Sequence, residues 1–145
     1  MSILQDDKKE KMLARLKGYL TQQWRGPELR TAYLFGSTAI GRGWKTIQDV
    51  DVAVVFAAGY RLEDGERLSE ELARSLEMAV DVVVLNESPP LLWYEVLVNG
   101  RLIWCADESE RVEHEVRSLI QYYDLEPQRQ RLANDVRKMI QEGVF

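Results

Sequence analysis

The chain has 145 residues, 46% hydrophobic and 30% charged, which suits one soluble domain with a buried core. Its formal net charge of −5 provides no global positive field, which argues against non-specific binding to nucleic acid or anionic lipid. One cysteine and one histidine, Cys105 and His114, exclude an internal disulfide and a Cys/His zinc cluster. The single cysteine indicates a reducing setting, and no apolar run comes near the ~20 residues of a membrane span, so we expect the protein in the cytoplasm.

The first hundred residues alternate between helical and strand patterns. Leu68, Leu72 and Leu76 recur at helical spacing, whereas 50–56 is a nearly continuous β-branched run typical of a strand covered on both faces. Residues 37–42 are compatible with one or two helical turns. The patterns together predict helices over 6–24, 64–78 and 91–97, and strands over 31–35, 50–56, 80–85 and 102–105.

The C-terminal third is predicted to be helical, with a break at Asp124–Pro127, because the residue before a proline resists the α conformation. The apolar positions of the first helix are expected to pack on the sheet. For those of the second helix, core packing and partner binding are equally open interpretations. The two apolar sets are Val112, Val116, Leu119, Ile120 and Tyr123, then Leu132, Val136, Met139 and Ile140.

This order of elements predicts an α/β or α+β fold with a small sheet. We expect one domain over 1–145, with a core over about 28–106 and a helical segment over 107–143.

Two aspartates lie one residue apart at the start of the apolar run "DVDVAVVF". Side chains alternate along a strand, so Asp49 and Asp51 are expected to share a face. Buried carboxylates are costly unless they are paired or bind a metal. Asp81 begins the next apolar run and brings a third carboxylate if the two strands are neighbours. The pattern predicts a Mg²⁺ site of the kind used for displacement at phosphorus.

Gly36 and Ser37 follow the strand over 31–35 and could form a phosphate cradle. Glycine lets a phosphate approach the backbone, and a helix beginning at Ser37 would present free N–H groups to it. The spacing superficially follows a P-loop. A P-loop requires Lys and then Ser or Thr after its second glycine, where this chain has Arg42 and Gly43, so that interpretation is rejected.

The stretches "LFGSTAIG" and "DVDVAV", with Asp81 in "AVDVVVLN", resemble the minimal nucleotidyltransferase domain of the polymerase-β superfamily. The later stretch "LNESPPLLWYEVLVNGRLIW" is similar to MntA-type antitoxins, which are paired with HEPN-domain toxins. The resemblance implies an α+β polymerase-β-like fold: a small mixed sheet flanked by helices, with helices at the C-terminus.

The resemblance also implies an activity, the transfer of AMP from ATP to a tyrosine of a HEPN toxin, and a possible hetero-oligomer with that toxin. Gly36 and Ser37 would hold the triphosphate. Asp49, Asp51 and Asp81 would ligate two Mg²⁺, and Asp81 would help to deprotonate the incoming hydroxyl.

Two positions depart from the family pattern, Gln48 in place of serine and Ile40 in place of arginine. Arg42 is a candidate to replace that arginine at the phosphates. The alternatives are an antitoxin that acts by binding alone and a nucleotidyltransferase for a small molecule such as an aminoglycoside.

Overall fold

The structure is a computed structural model that describes residues 3–36 and 49–143, with the side chains at 3–6, 49, 125 and 126 left undescribed. Its helices and strands alternate in chain order as follows: α1 (Ile3–Gly18), β1 (Leu29–Phe35), β2 (Asp49–Phe56), α2 (Leu62–Leu76), β3 (Ala79–Val84), α3 (Pro90–Asn99), β4 (Arg101–Cys105) and α4 (Glu108–Gln141). A π-helical turn over Tyr19–Gln23 continues α1, and a 3₁₀ turn over Leu85–Glu87 follows β3.

The four strands form one mixed sheet in the order β3-β2-β1-β4. β1 pairs antiparallel with β2 and with β4, whereas β2 and β3 run parallel. The α+β prediction with a small mixed sheet is therefore confirmed. The parallel pair needs a crossover connection, and α2 provides it.

Each face of the sheet is covered by helices, as the β-branched run in β2 predicts. α1 and α2 cover one face, where Leu16, Leu68 and Leu72 are fully buried against alternate valines of β2. α3 covers the other, where Trp93 and Val96 pack on Tyr33 and on the remaining β2 positions. Pro90 occupies the first turn of α3, where its missing N–H costs nothing.

The predicted helix over 6–24 differs from the structure mainly at its start, since α1 begins at Ile3 and the π-helical turn that continues it ends at Gln23. The shifts of one or two residues at the ends of the other predicted elements in the first hundred residues lie within the usual uncertainty of helix and strand ends. The predicted turns over 37–42 fall outside the described residues. In the described part of the chain, no helix is long and apolar enough to span a membrane.

The predicted break at Pro127 is wrong. α4 continues for 34 residues with Pro127 inside it. The predicted core packing of the first apolar set is also wrong: Leu119 is half-buried, but the other four members are exposed. We call these four the outer stripe: Val112, Val116, Ile120 and Tyr123. The second set is exposed as well and forms the distal stripe: Leu132, Val136, Met139 and Ile140.

Candidate nucleotide and metal site

The register of the parallel strands places two of the predicted acidic residues side by side. Asp51 of β2 is the direct partner of Asp81 of β3, and Asp49 is the partner of Ala79. Neighbouring strands lie about 4.8 Å apart, and paired residues point to the same face. Asp51 is half-buried and Asp81 is exposed at the sheet edge. Asp49 lies two positions before Asp51 in the same strand, and the structure describes its backbone alone.

Gly36 lies immediately after β1 and directly against the carboxylate of Asp51. The neighbouring residue Phe35 is the antiparallel partner of Asp51. The backbone of Gly36 is left-handed, with φ +75°, and a Cβ atom at this position would collide with Oδ2 of Asp51. Only glycine avoids both the backbone strain and this overlap. The predicted glycine and the predicted acids are therefore brought together.

The other predicted phosphate contacts, Ser37 and Arg42, lie outside the described residues, as do the two departures at Ile40 and Gln48. Within 3–36 and 49–143, no three His, Cys, Asp or Glu side chains come together as a possible metal site. Two of the three predicted ligands, Asp51 and Asp81, do lie side by side. The carboxylate oxygens are hard ligands of the type that Mg²⁺ prefers. The donor set thus fits the implied metal.

A second polar cluster lies at the opposite end of the sheet, where β1 begins. Arg30 donates to both carboxylate oxygens of Glu110 and also pairs with Glu28, so α4 is fastened to β1. The bonds from Arg30 lower the pKa of Glu110. Further along α4, Glu115 accepts from the Tyr33 hydroxyl at 2.9 Å, and burial together with this bond raises the pKa of Tyr33.

These contacts border an open polar cavity of about 600 Å³ between α4 and the end of β2. His114 lines it, half-buried, and its Nδ1 has no hydrogen-bond partner among the described residues. Phe56, also in the lining, is five strand positions from Asp51, which corresponds to about 16 Å. His114 is therefore remote from the acidic site.

The comparisons with known proteins agree with this geometry. The family model described as "Polymerase beta, Nucleotidyltransferase" matches residues 15–109, a range that includes all four strands and every predicted site residue. The chain belongs to the polymerase beta nucleotidyltransferase family. The resemblance noted in its sequence is thereby confirmed.

Similar proteins carry a more specific description. The protein adenylyltransferase MntA of Shewanella oneidensis is 29% identical over 110 residues, which cover 76% of this nucleotidyltransferase and 78% of that relative. A structure of tri-AMPylated S. oneidensis HEPN toxin in complex with MNT antitoxin matches at 25% identity and a TM-score of 0.66, over 91% of this chain and 98% of that one. A toxin–antitoxin structure with AMP-PNP matches at 26% identity and a TM-score of 0.67, over 90% and 97%.

Sequence reasoning missed two features of this nucleotidyltransferase. One is the ion pair between Arg30 and Glu110, which are 80 residues apart and have no local pattern to link them. The other is the packing of Gly36 on Asp51. The spacing of the family motif assigns Gly36 to a phosphate, and the second role appears only when β1 and β2 pair in register.

Proposed function

We propose that this nucleotidyltransferase is a Mg²⁺-dependent protein adenylyltransferase that transfers AMP from ATP to a tyrosine of a cognate HEPN-domain toxin and so neutralises it. The observation that carries the proposal is the pairing of Asp51 with Asp81 beside Gly36. Support also comes from the relative named as a protein adenylyltransferase and from the similar antitoxin solved with an AMPylated HEPN toxin.

Each site residue has a proposed role. Gly36, Ser37 and Arg42 bind the triphosphate of ATP: glycine through close backbone approach, serine as a donor and arginine as a counter-charge. Asp49, Asp51 and Asp81 would hold two Mg²⁺ ions. When bound, these ions would stabilise the negative charge that develops around phosphorus.

In the proposed reaction, the tyrosine oxygen forms a bond to the α-phosphorus of ATP and the bond to the β-phosphate oxygen breaks. Pyrophosphate leaves with the electron pair of the broken bond. The hydroxyl proton passes to the carboxylate of Asp81, which acts as the general base. Asp81 is exposed, and this allows an acceptor from another molecule to reach it.

The first test is the intact mass of the proposed cognate HEPN-domain toxin, after co-expression with wild type, Asp51→Asn or Asp81→Asn. We expect one or more AMP increments with wild type. The rate of AMP transfer is expected to be about 10²- to 10³-fold lower with either variant, or lower still, as when one group that stabilises a transition state is lost. Asp124→Asn removes an exposed carboxylate from α4 and is the matched control, with wild-type modification expected.

If the partner is bound and silenced with no mass increment, neutralisation by contact alone replaces this proposal. If all three variants modify the partner as wild type does, the acids are not the catalytic site.

A further inference from the structure

α4 carries most of the exposed apolar surface in the described part of the chain. Eight of the twelve exposed large apolar side chains there belong to its two stripes. Ile120, Leu132 and Ile140 are each more than half exposed, at 56%, 65% and 60%. Contiguous apolar surface of this kind marks a contact with another molecule.

The two stripes lie on roughly opposite sides of α4. At about 100° per residue, the distal stripe is in phase with Ser118 and Tyr122, which face the body of the protein, and the outer stripe points away from it. The contacts agree with this phase, because Ser118 is buried and the Tyr122 ring stacks on Tyr94 of α3 at 4.0 Å. Arg129, one residue before the exposed segment, places its guanidinium over the Tyr122 ring.

The second half of α4 projects from the body. From Gln130 to Gly143, every residue except half-buried Ala133 is exposed. Isolated helices of this length are marginal in water, and most helical stability in proteins comes from packing of an apolar face. Pro127 weakens the segment further, because a proline inside a helix removes one hydrogen bond. The distal stripe therefore needs a covering surface.

A second copy of the chain covers this helix poorly. Two straight helices side by side bury one side of each, so a two-fold pair leaves one stripe of each copy exposed. Contact between the outer stripe of one copy and the distal stripe of the next is head-to-tail and gives a ring or an open filament, not a two-fold pair. Residues 128–141 also carry four cations and one acid, so two copies of this segment placed side by side would repel each other.

We propose that α4 is the docking helix for the HEPN-domain toxin, with the outer and distal stripes contacting two separate apolar surfaces of that toxin. This inference rests on the proposed function, which supplies the toxin as acceptor. A standard interface uses roughly 20 residues a side, so the four side chains of one stripe are too few. The eight of both stripes are expected to form its apolar part, with polar residues of α4 around them. The surface that covers the distal stripe is expected to be rimmed by acidic residues, complementary to the cations of 128–141.

The test is calorimetric titration of the 145-residue chain with the proposed cognate HEPN-domain toxin. Val116→Glu places a charge in the outer stripe and Val136→Glu places one in the distal stripe; both sites are exposed, so the fold is expected to persist. We expect each variant to weaken binding at least tenfold. Asn134→Glu adds the same charge to α4 at a residue of neither stripe, and it is expected to weaken binding less than either stripe variant because it changes only the charge of 128–141.

Other outcomes separate the two proposals. Wild-type affinity for either stripe variant, no binding of the toxin by wild type, or a dimer of the chain alone that Val116→Glu or Val136→Glu dissociates would each overturn the docking proposal. Tight binding that is lost in the stripe variants, with no AMP transfer by wild type, would sustain docking while the proposed function fails. Binding of Mg²⁺-ATP is expected to be unchanged in all three variants, since α4 supplies none of the proposed ligands.

Discussion

At the scale of single residues, the candidate site depends on the absence of a side chain at Gly36. Its left-handed backbone turns the chain after β1, and the missing Cβ leaves room for the Asp51 carboxylate. Asp51 in turn lies beside Asp81 through the register of β2 and β3. Gly36 thus leaves room for the carboxylate of Asp51, a proposed metal ligand, and for the phosphates that Gly36 is proposed to bind.

Gly36→Ala is expected to reduce AMP transfer by at least the 10²-fold typical of displacing a stabilising group, because the new methyl must push the Asp51 carboxylate aside. Stability should fall by about 1 kcal/mol or more from the positive φ. Steady-state kinetics and thermal unfolding measure the two effects. Gly59→Ala is the matched control: its φ is +92° with nothing within 4 Å, so it should lose stability but keep activity. Equal activity loss in both variants would contradict the steric role of Gly36.

The ion pair of Glu110 with Arg30 gives a pH-dependent contribution to stability. Arg30 lowers the pKa of folded Glu110 below its ordinary value of 4.5, so the folded state binds fewer protons than the unfolded state in that range. The contribution is complete above about pH 4.5 and is lost as the pH falls through the lower, folded value.

Glu110→Gln is therefore expected to lower the free energy of unfolding at neutral pH, with the difference from wild type shrinking on acidification below pH 4.5. Denaturant titrations across pH 3–7 measure it. Glu113→Gln breaks an exposed pair with Arg117 on the same helix and should change stability little. A Glu110→Gln difference that is constant with pH would rule out this linkage.

At the scale of elements, α4 departs most from what its sequence suggests. A proline is disfavoured inside a helix by about 3 kcal/mol, which is why Pro127 indicates a break. The structure continues the helix through it. Segment 128–141 has three Gln and three Arg, which are good helix formers. Asp107 caps the start of α4, because its side chain accepts from the Glu110 N–H at 3.0 Å.

Pro127→Ala is expected to restore the missing backbone hydrogen bond and stabilise the projecting half of α4, with up to about 3 kcal/mol of local gain. Hydrogen exchange of amides over 128–141 should slow, and helical circular dichroism should rise. Ala133→Gly, in the same segment, should do the opposite by about 1 kcal/mol. Unchanged exchange in Pro127→Ala would mean that the proline is not the weak point of the helix.

At the scale of the whole molecule, the sheet separates two kinds of surface. Asp51 and Asp81 lie at the β3 side of the sheet, near the starts of β2 and β3. The helix α4 instead packs on α3 and extends away from the body. We expect the single-domain organisation over 1–145, which stays a prediction, to join a catalytic core to a docking helix.

Mg²⁺-ATP is expected to stabilise the complete protein against thermal unfolding, by about 2.7 kcal/mol when the nucleotide is at one hundred times its dissociation constant. The shift should vanish with EDTA and in Asp51→Asn, because ATP binding is proposed to depend on metal held by the acids. Differential scanning calorimetry measures it, with Asp124→Asn as the control that keeps the shift. An equal shift in EDTA would show that nucleotide binding does not need the metal.

The sequence alone determined the features that depend on local pattern. Alternation along a strand groups Asp49 with Asp51, which stays a prediction. The apolar runs identify the four strands, and the family motif identifies the nucleotidyltransferase. These predictions succeed because period and spacing are written in consecutive residues.

The tertiary structure decided what depends on residues far apart in the chain. The strand order made Asp81 the neighbour of Asp51, and the β1–β2 register placed Gly36 against that carboxylate. The packing of α4 on the body through Ser118 and Tyr122 decided that the outer stripe faces solvent. A helical apolar pattern indicates that one face of the helix is buried, but not against what. The same spacing occurs in helices that pack on their own core and in helices that bind another molecule.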